Sequence, residues 1–157
     1  GKSLGEKTMT SERQLVWQVP YQKGELKIVA KNDSSPVVEK IFKSAGKATK
    51  VNLKTDKATI QANKTDVANI EVTIEDSENV MLPNANNLVE FEITGPAKLL
   101  GVENGDILDL SPHKVKYRKT FNGKCLLLLQ STDEKGIIGV KATSKGLQSS
   151  TLNITVN

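Results

Sequence analysis

The sequence predicts an all-β protein, and three observations support that class. Apolar and polar residues alternate with a period of two in several short segments, which is the pattern of half-buried strands. Turn signals separate those segments at intervals of roughly ten residues. No segment keeps the i, i+3, i+4, i+7 apolar spacing of an amphipathic helix over three turns. We therefore expect strands joined by tight turns and almost no helix.

The predicted strands run along the whole chain and share the alternating pattern. They are centred on residues 26–30, 70–74, 89–93, 138–142 and 152–156. Residues 125–130, CLLLLQ, are instead apolar on both faces, which is typical of a central strand covered on each side. Turn residues separate the strands at Gly24, 32–36, Pro83-Asn84, Gly95-Pro96, Asn104-Gly105, Asn122-Gly123, Lys135-Gly136 and Lys145-Gly146. Short strands with such regular turns predict antiparallel sheets.

The stretch ITGPAKLLGVENGD, residues 93–106, is dense in glycine and poor in reactive side chains. Glycine adopts positive φ without steric cost, and Asn-Gly is a strong hairpin signal. We therefore interpret this stretch as folding the chain back on itself rather than cradling a ligand. The residues predicted to form structural turns are Gly95, Pro96, Asn104, Gly105, Asp106, Asn122 and Gly123.

A domain boundary is predicted near residues 43–51, KSAGKATKV, where small and basic residues interrupt the strand pattern. Residues 47–157 then have about the size of one complete immunoglobulin-like β-sandwich, which is two antiparallel sheets packed face to face. Residues 1–46 carry too few strands to close a sandwich, so we interpret them as the C-terminal strands of a truncated immunoglobulin-like domain. Because the chain lacks an initiator Met, we expect it to be part of something longer.

Composition and charge exclude several classes of function. Apolar residues make up 37% of the chain, charged residues 25% and aromatic residues 4%, and no segment approaches the ~20 apolar residues of a membrane span. The formal charge is +4, but the lysines are scattered singly, so we expect neither a nucleic-acid partner nor a membrane. The single cysteine excludes an internal disulfide and leaves the compartment open.

Residue types that carry catalysis are isolated in this sequence. His113 is the only histidine and has no second histidine or paired cysteine to form a metal site or a nucleophile relay. Cys125 lies in an apolar strand, where a thiol behaves as a small buried hydrophobe. Two pairs of acids lie on predicted outward strand faces, where solvated glutamate is ordinary: Glu71 with Glu75, and Glu90 with Glu92. We expect no catalytic residue and no cofactor.

Two further groups of residues were weighed as binding sites. Glu103, Asp106 and Asp109 offer oxygens of the kind that calcium takes, but their spacing matches no known calcium loop, so we expect no metal. Trp17 and Tyr21 are the best aromatic pair for stacking on a sugar ring. Trp17 also alternates with apolar neighbours at positions 15 and 19, which favours packing in a core.

Three segments in register carry a resemblance to a known family. They are WQVPYQKGELKIVA at 17–30, FEITGPAKLLGVENGD at 91–106 and YRKTFNGKCLLLLQST at 117–132. In order and spacing they resemble the C-terminal region of bacterial glycoside hydrolase family 2 enzymes, especially β-galactosidases of gut bacteria. The opening GKSLG resembles a hairpin of the same family, so the likeness covers nearly the whole chain. It implies strand packing for Trp17 and Pro20-Tyr21.

The resemblance implies a non-catalytic accessory fragment of an enzyme that hydrolyses O-glycosidic bonds. The catalytic residues of that family lie in a (β/α)₈ barrel, and this sequence lacks the alternating strand and helix pattern of such a barrel. Implied partners are the barrel and the neighbouring domains, with a second subunit or a carbohydrate also open. The implied location is periplasmic or secreted in a bacterium. We also leave open whether the loop at 103–113 reaches an active site or another subunit.

Two alternatives remain at this stage. The first is a carbohydrate-binding module that uses an aromatic platform of Trp17, Tyr21, Tyr117 and Phe121. The solvent exposure of these four rings tests this alternative, since buried rings cannot stack on a sugar. The second alternative is an immunoglobulin-like repeat of a bacterial surface adhesin, which shares the fold and much of the strand pattern.

Overall fold

The computed structural model describes residues 1–11, 13–32 and 35–157. The regular structure in these ranges is all β-strand, so the predicted all-β class is confirmed. No helix long and apolar enough to cross a membrane occurs in the described part of the chain. The chain divides into two compact units, Gly1–Ser44 and Ala45–Asn157.

The first unit contains one antiparallel hairpin. Its strands β1 (Glu25–Asn32) and β2 (Ser35–Lys43) pair from Glu25 opposite Lys43 to Asn32 opposite Ser35. The register shifts after Ala30, next to the position that faces Pro36, because proline has no N–H to donate to the ladder. The turn predicted at 32–36 includes residues 33 and 34, which lie outside the described residues.

The segment that precedes this hairpin differs from its prediction. Residues 15–20 form no strand, and 38% of the Trp17 surface and 82% of the Tyr21 surface are exposed. The ring of Trp17 instead lies 5.2 Å from Nζ of Lys7. A strand needs a partner strand for its N–H and C=O groups. No described strand pairs with this segment, and its Val16 carbonyl instead accepts a hydrogen bond from Nζ of Lys7. The prediction of strand packing for Trp17 and Pro20-Tyr21 is therefore wrong.

The second unit is a sandwich of two sheets. One sheet has the order β4-β11-β10-β6-β8 and the other the order β3-β5-β9-β7. The strand bounds are β3 Lys50–Thr55, β4 Thr59–Ile60, β5 Val67–Glu75, β6 Leu88–Thr94, β7 Ala97–Glu103, β8 Tyr117–Lys119, β9 Lys124–Ser131, β10 Gly136–Thr143 and β11 Ser150–Val156. Neighbouring strands pair antiparallel except β11, which runs parallel to β4 with Thr155 opposite Thr59.

The core lies between the two sheets and follows the period-two pattern of the sequence. Side chains that alternate along each strand are buried, and each fully buried aliphatic side chain stabilises the fold by roughly 1.5–3 kcal/mol. The completely buried residues are Ala68, Ile70, Val72, Ile74, Val89, Val102, Leu127, Leu129, Ile138, Ala142 and Ile154. The strands predicted from alternation at 70–74, 89–93, 138–142 and 152–156 therefore lie where expected.

Strand β9 contains the CLLLLQ segment and lies inside its sheet, between β5 and β7. Cys125, Leu127 and Leu129 are buried on the inner face. Leu126 and Leu128 on the other face are only half-buried. The prediction of a strand inside the sheet is right. The prediction that both of its faces are fully covered is wrong, because the face with Leu126 and Leu128 packs against no second layer of the described residues.

Two of the predicted turns require glycine for steric reasons. Gly95 has φ of 84°, and a Cβ there would lie 2.0 Å from the carbonyl oxygen of Ile137. Pro96 follows at the start of the connection into β7, and its carbonyl accepts a hydrogen bond from Thr132 N at 3.1 Å. Any side chain at Gly95 would separate this connection from β10, since backbone atoms cannot move aside cheaply.

The second glycine turn joins Phe121 to β9. Asn122 and Gly123 have φ of 51° and 79°, which suits a two-residue hairpin loop with positive φ at both central positions. Phe121 and Lys124 close the loop with backbone hydrogen bonds of 2.8 and 3.1 Å. A Cβ on Gly123 would lie 2.0 Å from the carbonyl oxygen of Leu82, so this turn packs directly on the segment before β6.

Candidate cleft at one end of the sandwich

A cleft of about 690 Å³ lies at one end of the second unit. Three segments contribute to its lining: residues 83–86 and Leu88 before and in β6, residues 117–122 around β8, and four residues of the loop that follows β7, namely Asn104, Asp106, Asp109 and Ser111. The volume falls within the roughly 300–1,000 Å³ of ordinary ligand sites. Loops at the ends of a sandwich are where such folds usually carry binding functions.

The loop that forms one wall is fixed by a buried arginine. Arg118 of β8 is only 2% exposed. Its Nη1 donates to Oδ2 of Asp109 at 3.0 Å, and its Nη2 donates to the carbonyl of Pro112 at 2.7 Å. Nδ2 of Asn104 donates to the same Asp109 oxygen at 2.7 Å. Because a buried cation is costly to leave unpaired, these bonds hold the loop in one conformation.

The predicted turn at Asn104-Gly105-Asp106 begins this loop. Oδ1 of Asn104 accepts a hydrogen bond from Asp106 N at 2.9 Å, and Oδ1 of Asp106 accepts one from Leu108 N at 3.0 Å. These are side-chain turns of the kind that Asn and Asp favour. Gly105 has φ of 78°, and nothing lies within 4 Å of the position of its absent Cβ.

The three acids considered for calcium do not converge. Glu103 lies 2.7 Å from Nδ1 of His113, Asp106 caps its own turn, and Asp109 pairs with Arg118. His113, interpreted from sequence as isolated, is thus exposed beside one carboxylate. Within the described ranges, no three His, Cys, Asp or Glu side chains are grouped as a metal site would require.

The glutamates predicted on outward strand faces are exposed with one exception. Glu90 and Glu92 face solvent, and Glu71 lies 3.2 Å from Nζ of Lys124. Glu75 is buried, so its predicted exposure is wrong. Its Oε1 accepts a hydrogen bond from the Thr73 hydroxyl at 2.9 Å. The cause is the chain that follows, since Leu82 N donates to the carbonyl of Ile74 and folds this segment over the end of β5.

Cys125 is buried in β9, as its apolar surroundings predicted. Burial raises the pKa of its thiol to about 12. A thiol acts as a nucleophile only as the thiolate, so Cys125 is chemically inert at neutral pH.

The four aromatic residues of the proposed sugar platform are all exposed, but they fall into different units. Trp17 and Tyr21 belong to the first unit. Tyr117 and Phe121 line the cleft of the second, where they are 45% and 40% exposed. Exposure therefore does not remove the carbohydrate-binding alternative.

Sequence reasoning missed the three exposed aliphatic side chains of the loop. Ile107, Leu108 and Leu110 are 93%, 82% and 94% exposed. The sequence feature that could have revealed them is the apolar cluster ILDL at residues 107–110. It lies between turn residues, and its apolar positions match neither the period of a strand nor that of a helix. Large aliphatic side chains grouped in this way on a fixed loop mark an interaction surface.

Acidification tests the hydrogen bonds that fix the loop. Bonds from Ser111 and Arg118 hold the pKa of Asp109 well below its usual range. A carboxyl with a depressed folded-state pKa stabilises the fold above its unfolded pKa of about 3.9, and that contribution is lost as pH falls toward the folded value. We expect Asp109→Asn to be less stable than the unmodified chain at neutral pH, with the difference shrinking below about pH 4.

Urea denaturation across this pH range measures the effect. The matched control is Asp106→Asn, which keeps an oxygen for the Leu108 amide and has no bond to Arg118. A stability difference for Asp109→Asn that is independent of pH contradicts the role given to its charge.

Comparison with known proteins places these features in a family. Residues 51–153 match glycoside hydrolase family 2 C-terminal domain 5, and residues 1–38 match a domain of unknown function, DUF4982. The chain is 32% identical to the β-galactosidase BoGH2A of Bacteroides ovatus over 156 residues, which are 99% of this chain and 18% of that protein.

Solved structures agree with the sequence match. A β-glycosidase from Bacteroides vulgatus superposes with a TM-score of 0.92 at 35% identity, over 98% of this chain and 20% of that one. A family 2 glycosyl hydrolase from Bacteroides cellulosilyticus gives a TM-score of 0.89 at 35% identity, over 99% and 22%. The chain thus spans about a fifth of the length of these relatives and corresponds to a non-catalytic part of them. It belongs to the C-terminal domains of glycoside hydrolase family 2.

Proposed function

We propose that this chain is an accessory domain that docks on the remainder of a β-galactosidase-like enzyme, through the loop at 107–110. The enzyme as a whole hydrolyses O-glycosidic bonds, and this domain positions its catalytic barrel without contributing reactive groups. The observation that carries the proposal is the display of Ile107, Leu108 and Leu110 on a loop that Arg118 holds rigid.

The energetics of this loop favour a protein surface as its partner. Covering a fully exposed Ile or Leu side chain stabilises an assembly by roughly 1.5–3 kcal/mol. Since the loop is already ordered by hydrogen bonds to Arg118, docking requires little further loss of conformational entropy. The relatives are about five times longer than this chain, so the partner we propose is another domain of the same polypeptide. Docking on a second subunit is the competing outcome.

The test compares the enzyme with the chain alone. In the full-length enzyme we expect Ile107→Asp with Leu110→Asp to lower the melting temperature by several degrees and to reduce turnover. In the 157-residue chain alone the same double variant leaves stability nearly unchanged, because both side chains already face water. Ile137→Asp is the matched control, since Ile137 is a 61% exposed aliphatic residue that lies in strand β10 and not in this loop.

The outcomes separate the possibilities. Equal effects in the enzyme and in the chain alone, or no effect in either, contradict docking through this loop. A loss of subunit association, measured by sedimentation, with unchanged domain stability assigns the loop to a second subunit instead.

The proposal includes a periplasmic or secreted location in a bacterium. It is supported by the resemblance to glycosidases of Bacteroides, which are named among the relatives. Cell fractionation with detection of the full-length enzyme tests it, and recovery in the cytosol contradicts it.

Carbohydrate binding is a second candidate function. It is favoured by the exposure of Tyr117 and Phe121 inside the cleft, because exposed aromatic rings are the usual platforms for sugars. The two functions are compatible, since the docking side chains Ile107, Leu108 and Leu110 do not line the cleft that holds the aromatic rings.

A further inference from the structure

We propose that the cleft lined by residues from the segments 83–88, 104–111 and 117–122 binds a short segment of a neutral glycan, with Tyr117 and Phe121 as stacking platforms. This inference deepens carbohydrate binding, the second candidate function, by assigning it to one site and one class of ligand. It does not depend on docking through the loop at 107–110.

The strand period places the two rings on the same face. Around β8, Arg118 and Thr120 are buried while Tyr117, Lys119 and Phe121 are exposed. Phe121 follows Tyr117 by four positions, with three residues between them, and four steps of extended chain correspond to about 13 Å along the backbone. That spacing suits successive sugar rings of one chain better than a single monosaccharide. Both rings therefore face the same elongated ligand.

The polar groups of the cleft match the hydroxyls of a sugar. The side-chain amides of Asn84, Asn86 and Asn122 line the cleft and have no hydrogen-bond partner among the described residues. Each amide carries two donors and an acceptor, whereas a hydroxyl both donates and accepts. Exposed amides and aromatic rings in one cleft thus match the two kinds of surface that a pyranose presents, its polar edge and its apolar face.

The charges in the cleft favour a ligand without charge. Two carboxylates, Asp106 and Asp109, and two cations, Arg118 and Lys119, line it. Asp109 and Arg118 are already paired at 3.0 Å. The remaining pair is also of opposite sign, so the charges that line the cleft sum to zero and favour neither a uronate nor an amine.

The site is also ordered before any ligand arrives. Hydrogen bonds from Arg118 fix one wall. The Thr120 hydroxyl donates to the carbonyl of Ala85 at 3.1 Å, and this bond joins the segment 117–122 to the segment 83–88. Preorganisation of this kind reduces the entropy lost on binding, which matters for sugars because each contact is weak.

Calorimetry and NMR on the whole 157-residue chain test the proposal. The probes are β-1,4-galactotetraose and cellotetraose as neutral glycans and tetragalacturonate as a charged one. We expect at least one neutral tetrasaccharide to bind with a dissociation constant on the order of 1 mM, and tetragalacturonate to bind more weakly. Amide shifts on titration are expected at residues 84–86 and 117–122.

Variants then separate the site from the function. Phe121→Ala and Asn84→Ala are expected to weaken binding by about tenfold and severalfold. Tyr21→Ala, which removes a more exposed ring from the first unit, is expected to leave binding unchanged. Asn84 is an exposed loop residue, so its variant stays informative if Phe121→Ala disturbs the hairpin.

Each failure has a distinct meaning. Binding that is lost in Trp17→Ala or Tyr21→Ala, with no shifts at the cleft, overturns this site and preserves carbohydrate binding as a function. Absence of binding to either neutral glycan overturns both. Preferential binding of tetragalacturonate overturns the assignment of a neutral ligand.

Discussion

Gly123→Ala is expected to destabilise the second unit by more than about 3 kcal/mol, whereas Gly105→Ala costs only about 1 kcal/mol. Both glycines have similar φ, 79° and 78°, so the penalty for left-handed backbone is common to the two variants. They differ in space: a Cβ on Gly123 would lie 2.0 Å from the Leu82 carbonyl oxygen, while nothing lies within 4 Å at Gly105.

Urea denaturation of the two variants measures this difference directly. Because the backbone term cancels between them, the excess loss in Gly123→Ala reports the close contact between the hairpin loop and the segment before β6. Equal loss in the two variants contradicts that contact. Gly95→Ala is expected to behave like Gly123→Ala, since its Cβ would also lie 2.0 Å from a backbone oxygen.

Leu127→Ala is expected to destabilise the second unit by about 2–5 kcal/mol. Leu127 is fully buried in β9 and lies opposite Ile70 of β5 and Val102 of β7. Those neighbours are held by two ladders, so the sheet cannot collapse to fill the space of the isopropyl group that the substitution removes. The lost transfer free energy and the residual cavity therefore add.

Leu128→Ala supplies the matched control for this substitution. Leu128 is the next residue of the same strand and pairs with the same two neighbouring strands, but its side chain is only half-buried on the opposite face. We expect a loss of about 1 kcal/mol or less, since little cavity is created. Free energies of unfolding from urea titrations compare the two; losses of similar size show that β9 does not have one core face and one outer face.

Much of the sandwich was predictable because buried and exposed side chains of a strand alternate with a period of two, and apolar and polar residues alternate in the sequence in the same way. The alternation of Ile70, Val72 and Ile74 fixes which face of β5 is inward, and the structure buries all three completely. The burial of Glu75 was not predicted, because the residues that bury it belong to the segment that ends at Leu82 and folds back over the end of β5. Pairing between segments depends on non-local hydrogen bonds, which periodicity does not report.

The site was predictable in its aromatic residues and in the turns at Asn104-Gly105-Asp106 and Asn122-Gly123. Tyr117 and Phe121 were named from the sequence as part of a platform, and their common side follows from strand geometry. The burial of Arg118, which lies between them in the sequence, could not be predicted, because the groups that accept its hydrogen bonds are Asp109 and the Pro112 carbonyl on a separate loop. The alternation of Leu15, Trp17 and Val19 led to a wrong prediction of strand packing, because a segment with a strand-like pattern forms no sheet without a partner strand.

The parallel pairing of β11 with β4 has a consequence for how the protein is made. Among the described residues, the ladder partners of Thr59 and Ile60 are Thr155 and Val156, which are translated almost a hundred residues later. A ribosome must therefore release nearly the whole second unit before its larger sheet can be completed. Until then the nascent chain carries an unpaired β4 and an open core. Completion of the sheet therefore depends on non-local pairing, which takes milliseconds to seconds in β-sandwiches, and the apolar surface exposed in the meantime favours aggregation.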